Sequence, residues 1–243
     1  MWSTLMQAFS KIYERALDRK GGVEALNQLL PVVLSRDELA AIPDSCYLSM
    51  IAKGINQAGF NWQVIENKWP QFEEAFLGFD VEKLALLPDT VWDAYLFDTR
   101  VVRNWQKIEA VYKNAVFLRE LAEEHGSAAN FFANWDEQDQ LGLLQYLKKH
   151  GSRLGGMTGR YFLRRMGKDM YLLSRDVILA LQHAGLDIAD EPSSQKDLKR
   201  IQSCFDQWHV ETNLPYSHLS KIAAYSVGEN YPADYVVERM GGS

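Results

Sequence analysis

KKHGSRLGGMTGRYFLRRMGK, residues 148–168, carries seven Lys or Arg side chains and no acidic one. Because the whole chain has a formal net charge of −6 and this stretch has +7, the other 222 residues together carry −13. The turn Leu154–Gly159 holds three glycines, which permit positive φ angles and a close approach of the backbone. A basic stretch around such a turn is typical of a phosphate-binding hairpin and indicates DNA as a partner. The alternative is a solvated helical face beside a flexible turn.

Length and composition limit the class of protein. The 243 residues include 47% hydrophobic residues and seven tryptophans, which is enough for a packed core and excludes wholesale disorder. Cys46 and Cys204 lie far apart and form no CxxC pair, which fits a reducing compartment. The N-terminal segment is too interrupted by charge for a signal peptide, and no stretch approaches a membrane span. We therefore expect a soluble cytoplasmic protein, associated with the nucleoid when bound to DNA and with no membrane partner.

Hydrophobic periodicity predicts helix along almost the whole chain. In residues 105–122 the apolar side chains recur at spacings of three and four, and residues 5–17 and 23–34 show similar stripes around Gly21-Gly22. No run alternates for long enough to predict a strand. The expected helix caps are Ser35, Asp44 and Asp80, and the expected helix starts are Pro43, Pro70 and Pro88. The predicted fold class is all-α, with one domain over 1–243, a hairpin at about 143–168 and a tail, 229–243, that we expect to fray.

An ordered series of short motifs runs along residues 50 to 180. It consists of Gln57-Ala58-Gly59-Phe60-Asn61-Trp62, Lys68-Trp69, Phe72, Ala75-Phe76, Phe79-Asp80, Val102-Arg103-Asn104, Lys107-Ile108, Asn114-Ala115, and Leu147-Lys148-Lys149-His150-Gly151 running into Gly156-Met157-Thr158. No single piece is highly specific, but the ordered set resembles the DNA-3-methyladenine glycosylase I family. The resemblance implies a two-lobed helix-hairpin-helix fold that flips a damaged base from duplex DNA and hydrolyses its N-glycosidic bond.

The chain departs from this family at several places. Members commonly carry a base-reading Glu three residues before the Gln-Ala-Gly triplet, and here that position is Gly54. The family's N-terminal Cys-Gly-Trp and Tyr-His segments and its C-terminal His and Cys zinc ligands are absent. The resemblance therefore identifies a divergent member, for which we expect no zinc and no cofactor. Cys204 and His209 lie five apart without a second cysteine, and we interpret Cys204 as a core residue.

The resemblance places Trp62 at the position of the family's base-stacking tryptophan. Phe60 and Gln57 lie beside it and are further candidate base-binding residues, and Glu66 is a carboxylate within reach of such a pocket. An alkylated purine is cationic, so an electron-rich ring face attracts it beyond ordinary stacking. The alternative for Trp62, as for Trp69, is a core position at helical spacing.

Many other helix-hairpin-helix glycosylases place an aspartate one helix beyond the hairpin, facing the sugar. Asp176, 20 residues past Gly156, is the candidate here, and Asp169 is a weaker one. A carboxylate in that place orients a water as general base and offsets the developing oxocarbenium charge. The alternative for Asp176 is a helix N-terminal acid favoured by the macrodipole. No lysine stands beside it in an obvious place, so the resemblance implies a monofunctional hydrolase.

The turn and its cations are the candidate phosphate-binding groups. They are the backbone amides near Gly155, Gly156, Thr158 and Gly159 with the side chains of Lys149, Arg153 and Arg160. Arg103 and Lys107 are a candidate second phosphate contact or, equally, partners of surface ion pairs. The leading hypothesis is a base-excision glycosylase acting on alkylated purines in damaged duplex DNA. The second is a protein that binds damaged DNA without cutting it, and the third is a helical scaffold for protein partners.

Overall fold

The computed structural model describes residues 6–241, and over this range the chain is all-α without a β-strand, which confirms the predicted fold class. A 3₁₀ helix, Leu77–Phe79, follows the fifth α-helix. The fifteen α-helices found in residues 6–241 are α1 Phe9–Lys20, α2 Val23–Asn27, α3 Arg36–Ala40, α4 Asp44–Gln57, α5 Trp62–Ala75, α6 Val81–Ala85, α7 Asp89–Ala94, α8 Trp105–His125, α9 Ala128–Asn134, α10 Gln140–His150, α11 Met157–Arg165, α12 Arg175–His183, α13 Gln195–Thr212, α14 Tyr216–Tyr225 and α15 Ala233–Gly241.

The chain divides into two compact units. Residues 34–168 form one unit, which contains α3 to α11. The described residues of 1–33 and 169–243 form the other, which contains α1, α2 and α12 to α15. The interpretation of residues 1–243 as one domain stays a prediction. In the described part of the chain, no helix combines the length and apolar character that crossing a membrane requires.

Stacked aromatic rings form much of the core of the 34–168 unit. Trp69 stacks on Phe72 and Phe79, with ring centroids 5.0 and 5.4 Å apart, and its indole N–H donates a hydrogen bond to Ser49. Trp69 is only 6% exposed. Because its ring is enclosed by other rings, Trp69 is a core residue and not the wall of a pocket.

The other unit has its own core, which includes the predicted core cysteine. Tyr171 stacks on Phe205 at 4.5 Å between ring centroids, and Trp208 packs edge-on against Phe205. Cys204 is buried in this cluster, and burial raises the pKa of its thiol. His209 donates a hydrogen bond from Nδ1 to the carbonyl of Leu214. Cys204 thus serves packing, as the sequence indicated.

The predicted caps and helix starts hold in part. Ser35 forms a capping box at α3, and Asp80 accepts from the N–H of Lys83 at the start of α6. Asp44, by contrast, is the first residue of α4, and its carboxylate accepts two backbone N–H groups at the start of α9, each at 2.9 Å. Pro70 lies inside α5, because the Asn61 cap already starts that helix eight residues earlier.

The C-terminal segment 229–243, which we expected to fray, contains helix α15 over Ala233–Gly241. The predicted helix over residues 105–122 corresponds to α8, and the stripe at 5–17 corresponds to α1, which begins at Phe9. The stripe at 23–34 is α-helical only over α2, Val23–Asn27, and residues 31–35 are not helical, so most of that prediction is wrong. Gly21 and Gly22 separate these two helices with φ angles of +87° and +106°, so the glycine pair is needed for the backbone turn.

Candidate base-binding and DNA-binding site

The loop between α4 and α5 presents two aromatic side chains to solvent. Gly59 turns the chain with a φ of +75°, and Asn61 caps α5 by accepting a hydrogen bond from the N–H of Gln63 at 2.9 Å. Phe60 is 44% exposed and Trp62 is 50% exposed. Both rings are open to solvent, and Phe60 and Trp62 stay predicted base-binding residues.

Trp62 is bordered by two residues of α11, the second helix of the hairpin. The Tyr161 ring packs edge-on against Trp62 at 6.2 Å between centroids, and the guanidinium carbon of Arg165 lies 4.8 Å from the Trp62 ring centroid. Trp62 is therefore not a core residue, and the hairpin helix is part of its surroundings. The sequence did not indicate Arg165 as part of a base site, because 103 residues separate it from Trp62.

Gln57 belongs to a hydrogen-bonded network behind this surface. Its Nε2 donates to Glu66 Oε1 at 2.7 Å, and its Oε1 accepts from Arg165 Nη1 at 2.7 Å. Glu66 also accepts from Lys53 Nζ at 2.9 Å. Gln57 is only 2% exposed. A direct contact between Gln57 and a base does not fit this burial, and its amide instead bridges Glu66 and Arg165.

Lys107 holds the end of α4 in place. Its ammonium donates to the carbonyls of Ile55, Asn56 and Ala58 at 3.1, 2.8 and 2.9 Å and lies 4.3 Å from the Phe60 ring centroid. Burial lowers the pKa of Lys107, which is 6% exposed. The expected phosphate contact of Lys107 is therefore corrected, because all three ammonium hydrogens are used within the protein.

The hairpin turn joins α10 to α11 and needs its glycines for different reasons. Gly156 precedes α11 with a φ of +61°, a conformation that glycine adopts without strain. At Gly159 a Cβ atom would lie 2.4 Å from the carbonyl oxygen of Leu154, so a side chain is excluded by close approach. Arg153 also has a positive φ, of +58°, which the sequence did not indicate. Leu154 is fully buried and anchors the turn.

Asn114 of α8 clamps this turn from inside the protein. Its Nδ2 donates to the carbonyl of Ser152 at 2.9 Å, and its Oδ1 accepts from the N–H of Ser152 at 3.0 Å. The same Nδ2 donates to the carbonyl of Ala110 at 2.7 Å. A buried amide that pairs with both backbone groups of one residue fixes the position of that residue. The sequence motif contained Asn114, but its spacing gave no sign of this role.

The backbone N–H groups of Gly155, Gly156 and Thr158 bond to no acceptor within residues 6–241. Gly156 is exposed and the other two are half-buried, whereas Gly159 is buried. Free N–H groups at the start of a helix favour an anion such as a phosphate. Gly155, Gly156 and Thr158 stay predicted phosphate ligands, and Gly159 has a packing role.

The seven basic side chains of residues 148–168 differ in exposure. Lys149 and Arg153 are exposed and stay predicted phosphate contacts. Arg160 is only 4% exposed, because it lies on the buried face of α11 with Phe162 and Leu163, and this burial does not fit a direct phosphate contact. Lys168 is 3% exposed and donates to a backbone carbonyl at 2.9 Å.

The two aspartate candidates lie in the other unit and have different environments. Asp169 is 7% exposed, and its carboxylate accepts the N–H groups of Tyr216 and Ser217 at 2.9 and 2.7 Å, so it caps α14. Asp176 is exposed in the first turn of α12, a helix capped by Ser174. The catalytic role of Asp176 stays a prediction.

Comparison with known proteins gives one match to a family. Residues 44–153, from the start of α4 into the hairpin turn, match the model of the methyladenine glycosylase family. A structure of 3-methyladenine DNA glycosylase I is similar at 22% identity and a TM-score of 0.46, over 57% of this chain and 82% of that one. The Staphylococcus aureus 3-methyladenine DNA glycosylase I is similar at 22% identity and a TM-score of 0.47, over 58% of this chain and 84% of that one. A variant of that enzyme is similar at 25% identity and a TM-score of 0.45, over 51% of this chain and 77% of that one. No curated protein sequence matches the chain.

Proposed function

We propose, on the premise that residues 44–153 belong to the methyladenine glycosylase family, that this protein is a DNA glycosylase. It hydrolyses the N-glycosidic bond of an alkylated purine, such as 3-methyladenine, in duplex DNA. The observation that carries the proposal is that the matched segment contains both the exposed Trp62 and the first half of the hairpin. We also propose a cytoplasmic location, with the nucleoid as the place where DNA is bound.

Different residues of the site bind the base and the phosphate. The flipped base stacks on Trp62 and Phe60, whose rings are already exposed and therefore need no opening of the core. The amides of Gly155 and Gly156 hold a phosphate, and the nearby cations add affinity that falls with salt. Phosphate contacts of this kind fix the position of the duplex and do not read its sequence.

The chemistry begins with a base that already carries a positive charge. Such a base is a good leaving group, so cleavage does not require a strong acid in the place of Gly54. We assign to Asp176 the role of orienting and deprotonating the water that attacks the sugar.

The proposal is tested with methylated duplex DNA, by mass spectrometry of released bases and alkaline cleavage of abasic sites. We expect release of 3-methyladenine or a related cationic purine. Trp62→Ala should abolish most of this release, whereas Val64→Ala, an exposed residue of the same helix, serves as the matched control. Absence of any released base over a wide panel of lesions would contradict the proposed function.

Asp176→Asn tests the proposed water-activating group. We expect the single-turnover rate of excision to fall at least a hundredfold, because general-base catalysis contributes about 10²–10⁴ in rate. DNA affinity should stay unchanged, since the residue does not contact the phosphates in this proposal. A variant that keeps full excision activity would overturn the assignment of Asp176 and leave the glycosylase proposal intact.

A non-catalytic protein that binds damaged DNA is the second candidate function. The observation that favours it is Gly54, which leaves α4 without a carboxylate at this position. A gel shift with lesion-containing duplex, followed by alkaline cleavage of the same sample, separates the two. Retention of the duplex without abasic sites would favour the binding protein.

A further inference from the structure

The guanidinium of Arg165 lies against the ring that is proposed to hold the base. Its central carbon is 4.8 Å from the Trp62 ring centroid and 5.8 Å from the Tyr161 ring centroid. At these distances the cation interacts with the π-face of Trp62. A base stacked on the remaining face of Trp62 therefore has a positive charge on the far side of the ring.

The position of this guanidinium is fixed by three helices. The Glu66 carboxylate of α5 can only accept hydrogen bonds, so the Nε2 group of Gln57 in α4 must face it. The Oε1 atom of Gln57 consequently faces α11, where it accepts from Arg165 Nη1 at 2.7 Å. Because the amide cannot rotate without losing both bonds, Arg165 is held in one place.

Glu66 is the carboxylate whose charge acts on Arg165, but it is shared, because it also forms an ion pair with Lys53 at 2.9 Å. One carboxylate and two cations leave these three side chains with a net charge of +1. The remaining donors of Arg165, Nε and the Nη2 group, form no hydrogen bond with residues 6–241 and are not among the buried atoms that lack a partner. Burial lowers the pKa of Arg165, but a guanidinium keeps its proton at every pH at which the protein is folded.

We propose that the fixed charge of Arg165 speeds cleavage of a cationic base by repelling the charge on that base. This inference rests on the proposed function and names how the same site favours bond breaking. In the substrate the positive charge is on the purine, close to Arg165. When the C1′–N bond breaks, its electron pair goes to the purine nitrogen, which leaves as a neutral base, and the positive charge moves to the deoxyribose as an oxocarbenium ion.

Water then adds to C1′ and loses a proton, so the products are the neutral base, an abasic site and one proton. Repulsion by Arg165 raises the energy of the bound substrate and is relieved as the charge leaves the base, so it lowers the barrier between them. A residue of this kind weakens binding and increases the rate at the same time. Loss of such strain has a specific kinetic signature, in which the rate constant and the dissociation constant both fall.

The size of the effect follows from the distance. A base stacked about 3.5 Å beyond the ring would be about 8 Å from the guanidinium, and at an effective dielectric constant of about 20 the repulsion corresponds to roughly thirtyfold in rate. Arg165 is partly exposed, and only part of the charge has moved at the transition state. We therefore expect about a tenfold effect.

The experiment compares the wild-type protein with Arg165→Gln, which removes the charge, and Arg165→Lys, which keeps it. Arg36→Gln, an exposed arginine of α3, is the matched control for net charge. The substrate is a duplex with one 7-methylguanine, and the probe for binding is the same duplex with a 2′-fluoro sugar that resists cleavage. We expect Arg165→Gln to lower the single-turnover rate about tenfold and to bind the uncleavable duplex as tightly as the wild type or more tightly. Arg165→Lys should keep most of the rate.

Two results would overturn the inference. If Arg165→Gln loses rate and affinity together, Arg165 only supports the structure, and if the rate does not change, its charge has no part in cleavage. Failure of the proposed function looks different, because the wild type then releases no base at all. In that case the binding measurement still tests the repulsion between Arg165 and the base. Weaker binding of the uncleavable cationic duplex by Arg165→Gln contradicts that repulsion, and tighter binding supports it.

Discussion

The Asn114 clamp is the contact whose loss should separate the hairpin from the rest of its unit. Asn114→Ala removes two hydrogen bonds to the backbone of Ser152 and leaves an N–H and a carbonyl without their partners. Each net hydrogen bond contributes about 1 kcal/mol, and each unpaired buried group costs about 1–3 kcal/mol, so with partial hydration we expect a loss of about 3 kcal/mol. For a protein of this length that lowers the melting temperature by roughly 6–12 °C.

The assay is thermal unfolding combined with DNA binding at fixed salt. Asn134→Ala is the matched control, because Asn134 is exposed and donates to a carbonyl of its own helix but clamps no turn. We expect the control to change stability by less than about 1 kcal/mol and to leave DNA affinity unchanged. If Asn114→Ala weakens DNA binding no more than Asn134→Ala does, the turn does not depend on the clamp and the argument fails.

Three further predictions follow from single contacts. Lys107→Met leaves three carbonyls at the end of α4 without their donor, so urea unfolding should show a free energy of unfolding lower by about 3 kcal/mol. An unchanged urea midpoint would contradict this prediction. Gly159→Ala places a methyl group 2.4 Å from a backbone oxygen, so it should lower the free energy of unfolding by more than about 1 kcal/mol and weaken DNA binding. Gly155→Ala meets only a flexible side chain at 3.5 Å, and equal effects of the two variants would contradict this reasoning. Hydrogen bonds from Arg100 hold the pKa of the Asp98 carboxyl below its ordinary value, so its stabilisation is present above the unfolded pKa and is lost as pH falls through the folded one. Asp98→Asn should therefore destabilise at neutral pH, and its effect should shrink as pH falls through the lowered folded pKa, whereas a difference independent of pH in urea unfolding would refute this.

Sequence reasoning succeeded where the information is local. The period of apolar residues in 105–122 is enough to predict α8, because one buried stripe along a helix repeats every three or four positions. The glycine at position 156 also indicated the geometry of the turn, because glycine is favoured where the residue before a helix has a positive φ. The family resemblance placed Trp62 at the position of the base-stacking tryptophan. Its exposure excludes the core alternative, and the base-stacking role stays a prediction.

The parts that failed depend on partners far away in the chain. Lys107 bonds to carbonyls about fifty residues upstream, so no spacing around Lys107 distinguishes it from a surface lysine. Arg160 was counted among the phosphate ligands because it belongs to a basic stretch, but its place on α11 turns it inward. Asp44 caps α9 and not its own helix. The role of a charged side chain depends on the groups that the fold places beside it. The spacing of residues in the sequence does not show which groups those are.

Gly54 has a consequence for how this site can change over generations. Its backbone lies within α4 and has no positive φ, and a Cβ atom there would meet only the methyl group of Thr158 at 3.8 Å, an ordinary contact. Glycine inside a helix is less stable than alanine by about 1 kcal/mol, so a side chain at this position gains helix stability. Glycine and glutamate codons ending in a purine differ by one nucleotide. A carboxylate on α4 is thus one mutational step away, and the fold presents no steric barrier to its first carbon.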